Sequence, residues 1–134
     1  MFKYLSIVFS FVFFVSCEKE QDNMSDSRNR FLGEWVVTEG TGDNMLSFDV
    51  EVKKDLNDEA FILIYNFHDI GEDLFVKVKV STVASKSLIL DAQQVESYYF
   101  ENGSGSLQSD NTIDFNFKFD DGNGNENIVA KFNR

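Results

Sequence analysis

His68 and Asp69 stand side by side in the stretch NFHDIG. A histidine next to a carboxylate is the base half of a nucleophilic triad, so these two residues are the first to test for chemistry. His68 is the only histidine of the chain, and a histidine in a turn is ordinarily solvated. The serines near Gly103 to Ser106 read GSGS, which is not the Gly-x-Ser-x-Gly of a nucleophile elbow. Zinc needs three or four His, Cys or carboxylate ligands, more than one histidine and the usual spacings can supply here. Calcium has a better starting point in DDGNGNENI, where Asp121, Asn123 and Asn125 recur at every second position. The place of the loop glycine is taken by Glu126, however, and no bidentate Glu stands near Phe132. The same residues suit a Gly/Asn-rich turn between two strands. Some of the 23 acidic side chains could pair as in glycoside hydrolysis, but sequence does not locate such a pair. The expectation is a protein without catalytic residues, metal or cofactor.

The other reactive side chain is Cys17, at the seam of VFSFVFFVSCEKEQD. Lys3 precedes an almost unbroken apolar run from Leu5 to Val15, which has the layout of a secretory signal. At 11 residues the run falls short of the roughly 20 that a helix needs to cross a bilayer. Val15, Ser16 and Cys17 resemble the lipobox of bacterial lipoproteins, with Phe14 where Leu is usual. That resemblance implies removal of residues 1–16 and acylation of Cys17, whose acyl chains would hold the protein on a membrane. Residues 17–30 then read as the lipidated cysteine and a flexible acidic tether, with folding starting near Phe31. Glu18, Lys19, Glu20, Gln21 and Asp22 are similar to the short export signal of Bacteroidota lipoproteins bound for the outer face of the outer membrane. A merely solvated tether, and a periplasm-facing anchor, are the alternatives.

The whole chain carries a net charge of −11, and loss of residues 1–16 removes Lys3 and no acid, leaving −12. A domain so acidic lacks the basic patch that neutralises phosphates, which argues against nucleic acid as a partner. With a single cysteine there is no internal disulfide, so stability must come from the core.

That core has to be built by strands. Residues 31–134 form one domain without proline and without convincing 3.6-residue periodicity. Ile113, Phe115, Phe117 and Phe119 alternate with polar residues, as do Leu46, Phe48, Val50 and Val52, and Leu74, Val76, Val78 and Val80. Weaker alternation covers 34–39, 61–67, 87–91, 95–101 and 127–133, and turn-rich clusters fall between, one of them at 102–105. Eight short antiparallel strands with one apolar face each predict an all-β fold, a single small meander barrel. Its interior would hold side chains or one small ligand. Phe31, Phe48, Phe61, Phe67, Phe115, Phe117, Phe119 and Phe132 suffice to fill it if most point inward. Tyr98, Tyr99 and Phe100 cannot all do so, because successive strand side chains face opposite ways. Either Tyr99 or the pair Tyr98 and Phe100 faces outward, and Tyr98 and Phe100, joined by Phe75 beside Lys77 and Lys79, are candidates for an exposed ligand-binding aromatic patch.

FLGEWVVTEG brings in a family. Gly33, Glu34 and Trp35 match the Gly-x-Trp that opens the lipocalin fold. IYNFHDIG, LILDAQQV, NGSGSL and NTIDFNFKFDDGNGNENIVAKF follow in the order of short Bacteroidota lipoproteins with lipocalin-like barrels. This resemblance, over about residues 31–134, implies a lipocalin-like barrel on the outer membrane and no catalytic residues. Trp35 on the first strand would close the barrel's bottom with its N–H on a backbone carbonyl, and Gly33 would allow close approach of the chain. Two functions follow. In one, a monomeric, non-catalytic barrel acts through its acidic outer surface or aromatic patch on a protein or glycan partner. In the other, it holds a small apolar or glycan-like ligand in its lumen or at its mouth.

Overall fold

The structure, a computed structural model, describes residues 26–40, 42–81 and 86–134. The signal segment, Cys17 and the acidic residues after it lie outside the described residues. Among the described residues nine strands follow one another: β1 (Gly33–Glu39), β2 (Leu46–Lys54), β3 (Phe61–Tyr65), β4 (Phe75–Val80), β5 (Ser87–Leu90), β6 (Gln93–Val95), β7 (Tyr98–Ser109), β8 (Thr112–Asp120) and β9 (Asn125–Asn133). Every pairing is antiparallel. β1 pairs with β9 through Val37 opposite Phe132, and the pairing of β5 with β7, through Leu88 opposite Gly105, closes the sheet into a ring. The result is a closed eight-walled antiparallel β-barrel, in which β5 and β6 share one wall.

That shared wall has a physical cause. β6 pairs with β7 only at residues 98–100, and β5 only at residues 103–106. Between β6 and the barrel wall at β4, the side-chain amide of Gln93 replaces the ladder. It accepts from the Lys77 N–H at 2.9 Å and donates to the Lys77 carbonyl at 2.8 Å. The strand expected over 95–101 is broken at Glu96, whose φ of 54° places it in the left-handed region, and β7 begins after this turn. Asn102 to Gly105, expected as a turn, lies inside β7, with a register shift between Phe100 and Gly103. Two glycines explain why a turn-like sequence is a strand here. A Cβ on Gly105 would sit 2.5 Å from Phe115 Cδ2, and one on Gly103 would sit 2.7 Å from Phe117 Cβ. Gly105 makes room for the Phe115 ring, the small-against-large fit that a narrow barrel requires, while Gly103 lets β7 approach the β8 backbone at Asn116 and Phe117.

The inward faces meet in one core. Val37, Val50, Ile62, Ile64, Val76, Val78, Leu88, Leu90, Ile113 and Phe115 are all buried. Burial of each such side chain contributes roughly 1.5–3 kcal/mol. Six of the eight expected core phenylalanines are buried. Phe48 is partly buried against the core, whereas Phe61 belongs to the outer face, where Lys77 Nζ lies 4.6 Å from its ring centre.

The barrel has two unlike ends. At the base lie the 3₁₀ turn Ser27–Phe31, the β2–β3 and β7–β8 connections, Ser81 after β4, Lys86 before β5, and Arg134. At the rim lie the β1–β2, β3–β4 and β8–β9 connections and the segment around β6. The base shows that folding starts earlier than the tether boundary at residue 30. Asp26 caps the 3₁₀ turn, accepts from the Arg28 N–H at 3.0 Å and meets Lys54 at 2.9 Å. Arg28, buried, donates through Nη1 to the carbonyls of Asp55, Asp58 and Phe61. Residues 26–30 are thereby part of the packed domain, a role that their polar composition conceals.

Candidate functional site

Trp35 and Gly33 sit at the base. The Trp35 ring is 1% exposed and its Nε1 donates to the Phe31 carbonyl at 2.8 Å, while the Arg134 guanidinium stacks 3.9 Å from its centre. Arg134 also donates to the Leu32 and Arg30 carbonyls, both at 2.7 Å. These contacts make the base a lid of Phe31, Trp35 and Arg134. Gly33 serves differently from the expected close approach. A Cβ there would meet nothing within 4 Å, and it is the φ of +105° that calls for glycine.

The rim is stopped by Phe67. Asn66, His68 and Asp69 all have positive φ, between 56° and 62°, and this coil points Phe67 down into the lumen. Its ring centre lies 4.6 Å from that of Phe117, 5.4 Å from Phe115, 5.5 Å from Phe100 and 6.4 Å from Phe132. Left-handed backbone at three non-glycine residues costs energy that the surroundings must offset. Asn66 supplies part of it, donating to the Asp49 carbonyl at 2.8 Å and accepting from the Gly71 N–H at 2.9 Å. His68 adds a contact through Nδ1, 2.7 Å from Glu39 Oε2. Phe117 and Phe119 cover the imidazole, at 5.6 and 4.2 Å between ring centres. The His–carboxylate pair therefore joins Glu39 and His68, not His68 and Asp69, and it pins the plug to β1.

Among the aromatic candidates, Phe100 is corrected: it is 0% exposed and packs on Phe67 and Phe119, so it offers no outer surface. Tyr98 faces the same way, half-buried and stacked on Phe119 at 5.7 Å. Tyr99 is the exposed member of the trio, across β7 from Asp120. Phe75 does lie outside, 39% exposed and 5.2 Å from Tyr65.

Phe75 belongs to a larger outer face built by β3, β4 and their neighbours. Cross-strand register places Tyr65 beside Phe75, Leu63 between Lys53 and Lys77, and Lys79 between Phe61 and Ile89. Lys53 Nζ lies 5.1 Å from the Tyr65 ring centre. Lys77 also pairs with Asp55 at 3.1 Å. The Asp55 carboxyl is held below the usual range, first by the Asn57 N–H and then by Lys77. Phe61, Leu63 and Tyr65 were missed as surface residues, although FILIY carries the signal: five apolar residues in a row make a strand greasy on both faces, and one face must look outward. Ammonium groups alternating with rings can hold a partner that is both anionic and partly apolar.

Asp121 and Asn123 lie in the exposed β8–β9 connection at the rim, and Asn125 is the first residue of β9. The Asp121 carboxylate accepts from the Asn123 N–H at 2.9 Å, and Gly122 and Gly124 supply positive φ, so the segment has the hydrogen bonds of a turn. Among the described residues no group of three or more His, Cys, Asp or Glu is placed to hold a metal. No helix among them is long and apolar enough to cross a membrane.

No protein-family model matches the chain, and no curated protein matches it. Among solved structures, a redesigned beta barrel, b11L5F_LGL, is similar with a TM-score of 0.56 at 14% identity, over 81% of this chain and 95% of that one. EF1p2_mFAP2b, in a structure bound to DFHBI, is similar with a TM-score of 0.54 at 14% identity, over 83% of this chain and 98% of that one. At this identity the likeness is one of fold, and the fold is a β-barrel.

Proposed function

We propose that this protein is a non-catalytic, lipid-anchored binding module that works from the outside of a side-chain-filled barrel. The observation that carries this reading is the lumen, where Phe67 fills the space between Phe100, Phe115, Phe117 and Phe132. With the interior occupied, the surface left for a partner is the wall, and the Lys53, Phe61, Leu63, Tyr65, Phe75, Lys77 and Lys79 face is its most distinctive part. Acylation of Cys17 and a place in the outer membrane, facing the cell surface, are supported by the lipobox-like Val15–Ser16–Cys17 and by the resemblance to short Bacteroidota lipoproteins. The net charge of −11 speaks against a nucleic-acid partner.

A second reading, a lipocalin-like barrel holding a small ligand, has one observation in its favour: the similar barrel EF1p2_mFAP2b is bound to DFHBI. Intact mass of the full chain from its native cells, under native and denaturing conditions, separates the two. Equal masses support the filled barrel, and an excess lost on denaturation puts the ligand carrier ahead. Protease treatment of intact cells tests the facing, since a protein degraded only after lysis faces the periplasm.

A further inference from the structure

The charges of the barrel are sorted along its axis. The rim connections carry Asp43, Asp69, Glu72, Asp73, Asp91, Glu96 and Asp121, and no lysine or arginine among the described residues. Asp120 and Glu126, at the ends of β8 and β9, extend this acidic crown. The connections of the base are different: Arg28, Arg30, Lys86 and Arg134 stand against Asp26, Asp55, Asp58, Glu59 and Asp110. Lys54, the last residue of β2, and Lys79, next to last in β4, add cations there. A protein that is strongly acidic overall thus has one end close to charge balance and one end without described cations outside its strands.

The chain enters at the balanced end. Asp26 lies at the base, nine positions after Cys17. Were those positions the tether that the sequence predicts, its root-mean-square reach would be about 17 Å. A nine-residue strand rises about 30 Å along itself, or roughly 20–25 Å along the axis of a barrel whose strands tilt near 40°. An anchor at Cys17 therefore reaches the base without stretching and reaches the rim only by extending most of its length. The base also bears Leu56, 95% exposed in the β2–β3 connection.

From this we infer that the barrel stands upright on the bilayer, with its base, including Arg30, Lys54, Lys86 and Leu56, against anionic lipid headgroups and its acidic rim turned away from them. The crown of carboxylates would be repelled by an anionic surface, whereas the base meets it without net repulsion, so electrostatics and link length favour the same orientation. The outer β3–β4 face then runs perpendicular to the membrane and stays open to partners. This inference rests on the acylation of Cys17 proposed above.

The test uses the full lipidated chain in vesicles of phosphatidylethanolamine and phosphatidylglycerol. Leu56→Cys and Asp121→Cys, both at exposed positions, are labelled one at a time with a fluorophore. Headgroup-attached nitroxide lipids should quench the label at 56 several-fold more than the label at 121, and Arg30→Glu with Lys86→Glu should narrow that contrast. Equal quenching at both sites, or stronger quenching at 121, overturns the orientation while leaving the anchor in place. An unchanged contrast in the charge-reversed variant overturns the part assigned to the base cations. A chain recovered free of the vesicles overturns the anchor and the orientation together.

Discussion

At Gly105 a single absent carbon decides what fits across the barrel. Its Cβ would collide with the Phe115 ring and press on Leu88 Cβ at 3.3 Å, so Gly105→Val should lower stability by about 1–3 kcal/mol, read from urea unfolding. Phe115→Leu in the same chain should recover part of that loss, because the shorter side chain vacates the contested space. Asp26 makes a different kind of prediction. Its carboxyl is held well below the usual range, chiefly by the hydrogen bond from the Arg28 side chain and further by Lys54. Asp55 is shifted the same way. Below about pH 4 the unfolded chain takes up protons on these groups that the folded chain refuses, so their contribution is complete above that pH and is lost as the pH falls toward the folded values. Urea unfolding at about pH 6 and about pH 3 should show the drop, and Asp26→Asn should shrink it. Neither residue announces its role in the sequence: Asp26 sits in a polar stretch that looks like tether, and Gly105 in one that looks like a turn.

Strands announced themselves where one face is apolar and the other polar. β2, β4, β8 and β9 were legible for that reason, since their alternation is set by the barrel wall itself. β7 was legible only up to Glu101, because its inward positions 103 and 105 are glycine and carry no hydrophobic signal. The break between β5 and β6 was hidden too, since it depends on a side chain imitating backbone. Gln93→Ala removes that imitation and leaves the Lys77 N–H and carbonyl to water. A loss of about 1 kcal/mol is expected, with faster hydrogen exchange at the Lys77 amide as its local signature. Of the candidate site, Phe75 was legible beside its lysines, while Tyr65 and Phe61 were not. Sequence shows that a strand has two greasy faces but not which of them looks inward.

For the whole molecule, the filled lumen and the anchor each have a direct consequence. Phe67→Ala should cost about 3–5 kcal/mol in stability, because the ring touches four others and the strained coil that carries it cannot collapse into the space. Thermal unfolding of the purified chain checks it. Cys17→Ala should leave a folded domain that appears in the soluble fraction, and its persistence in the membrane fraction after signal removal would count against acylation.

The seam between β1 and β9 also governs timing. Val36 to Glu39 pair with Ala130 to Asn133, so the first wall of the barrel stays unpartnered on one side until the last is available. Contacts so far apart in the chain make closure slow and late. During synthesis that edge stays open until residues 130–133 are made. Closure of the barrel therefore waits on the last four paired residues of β9, so loss of residues 130–133 should leave β1 with an open edge.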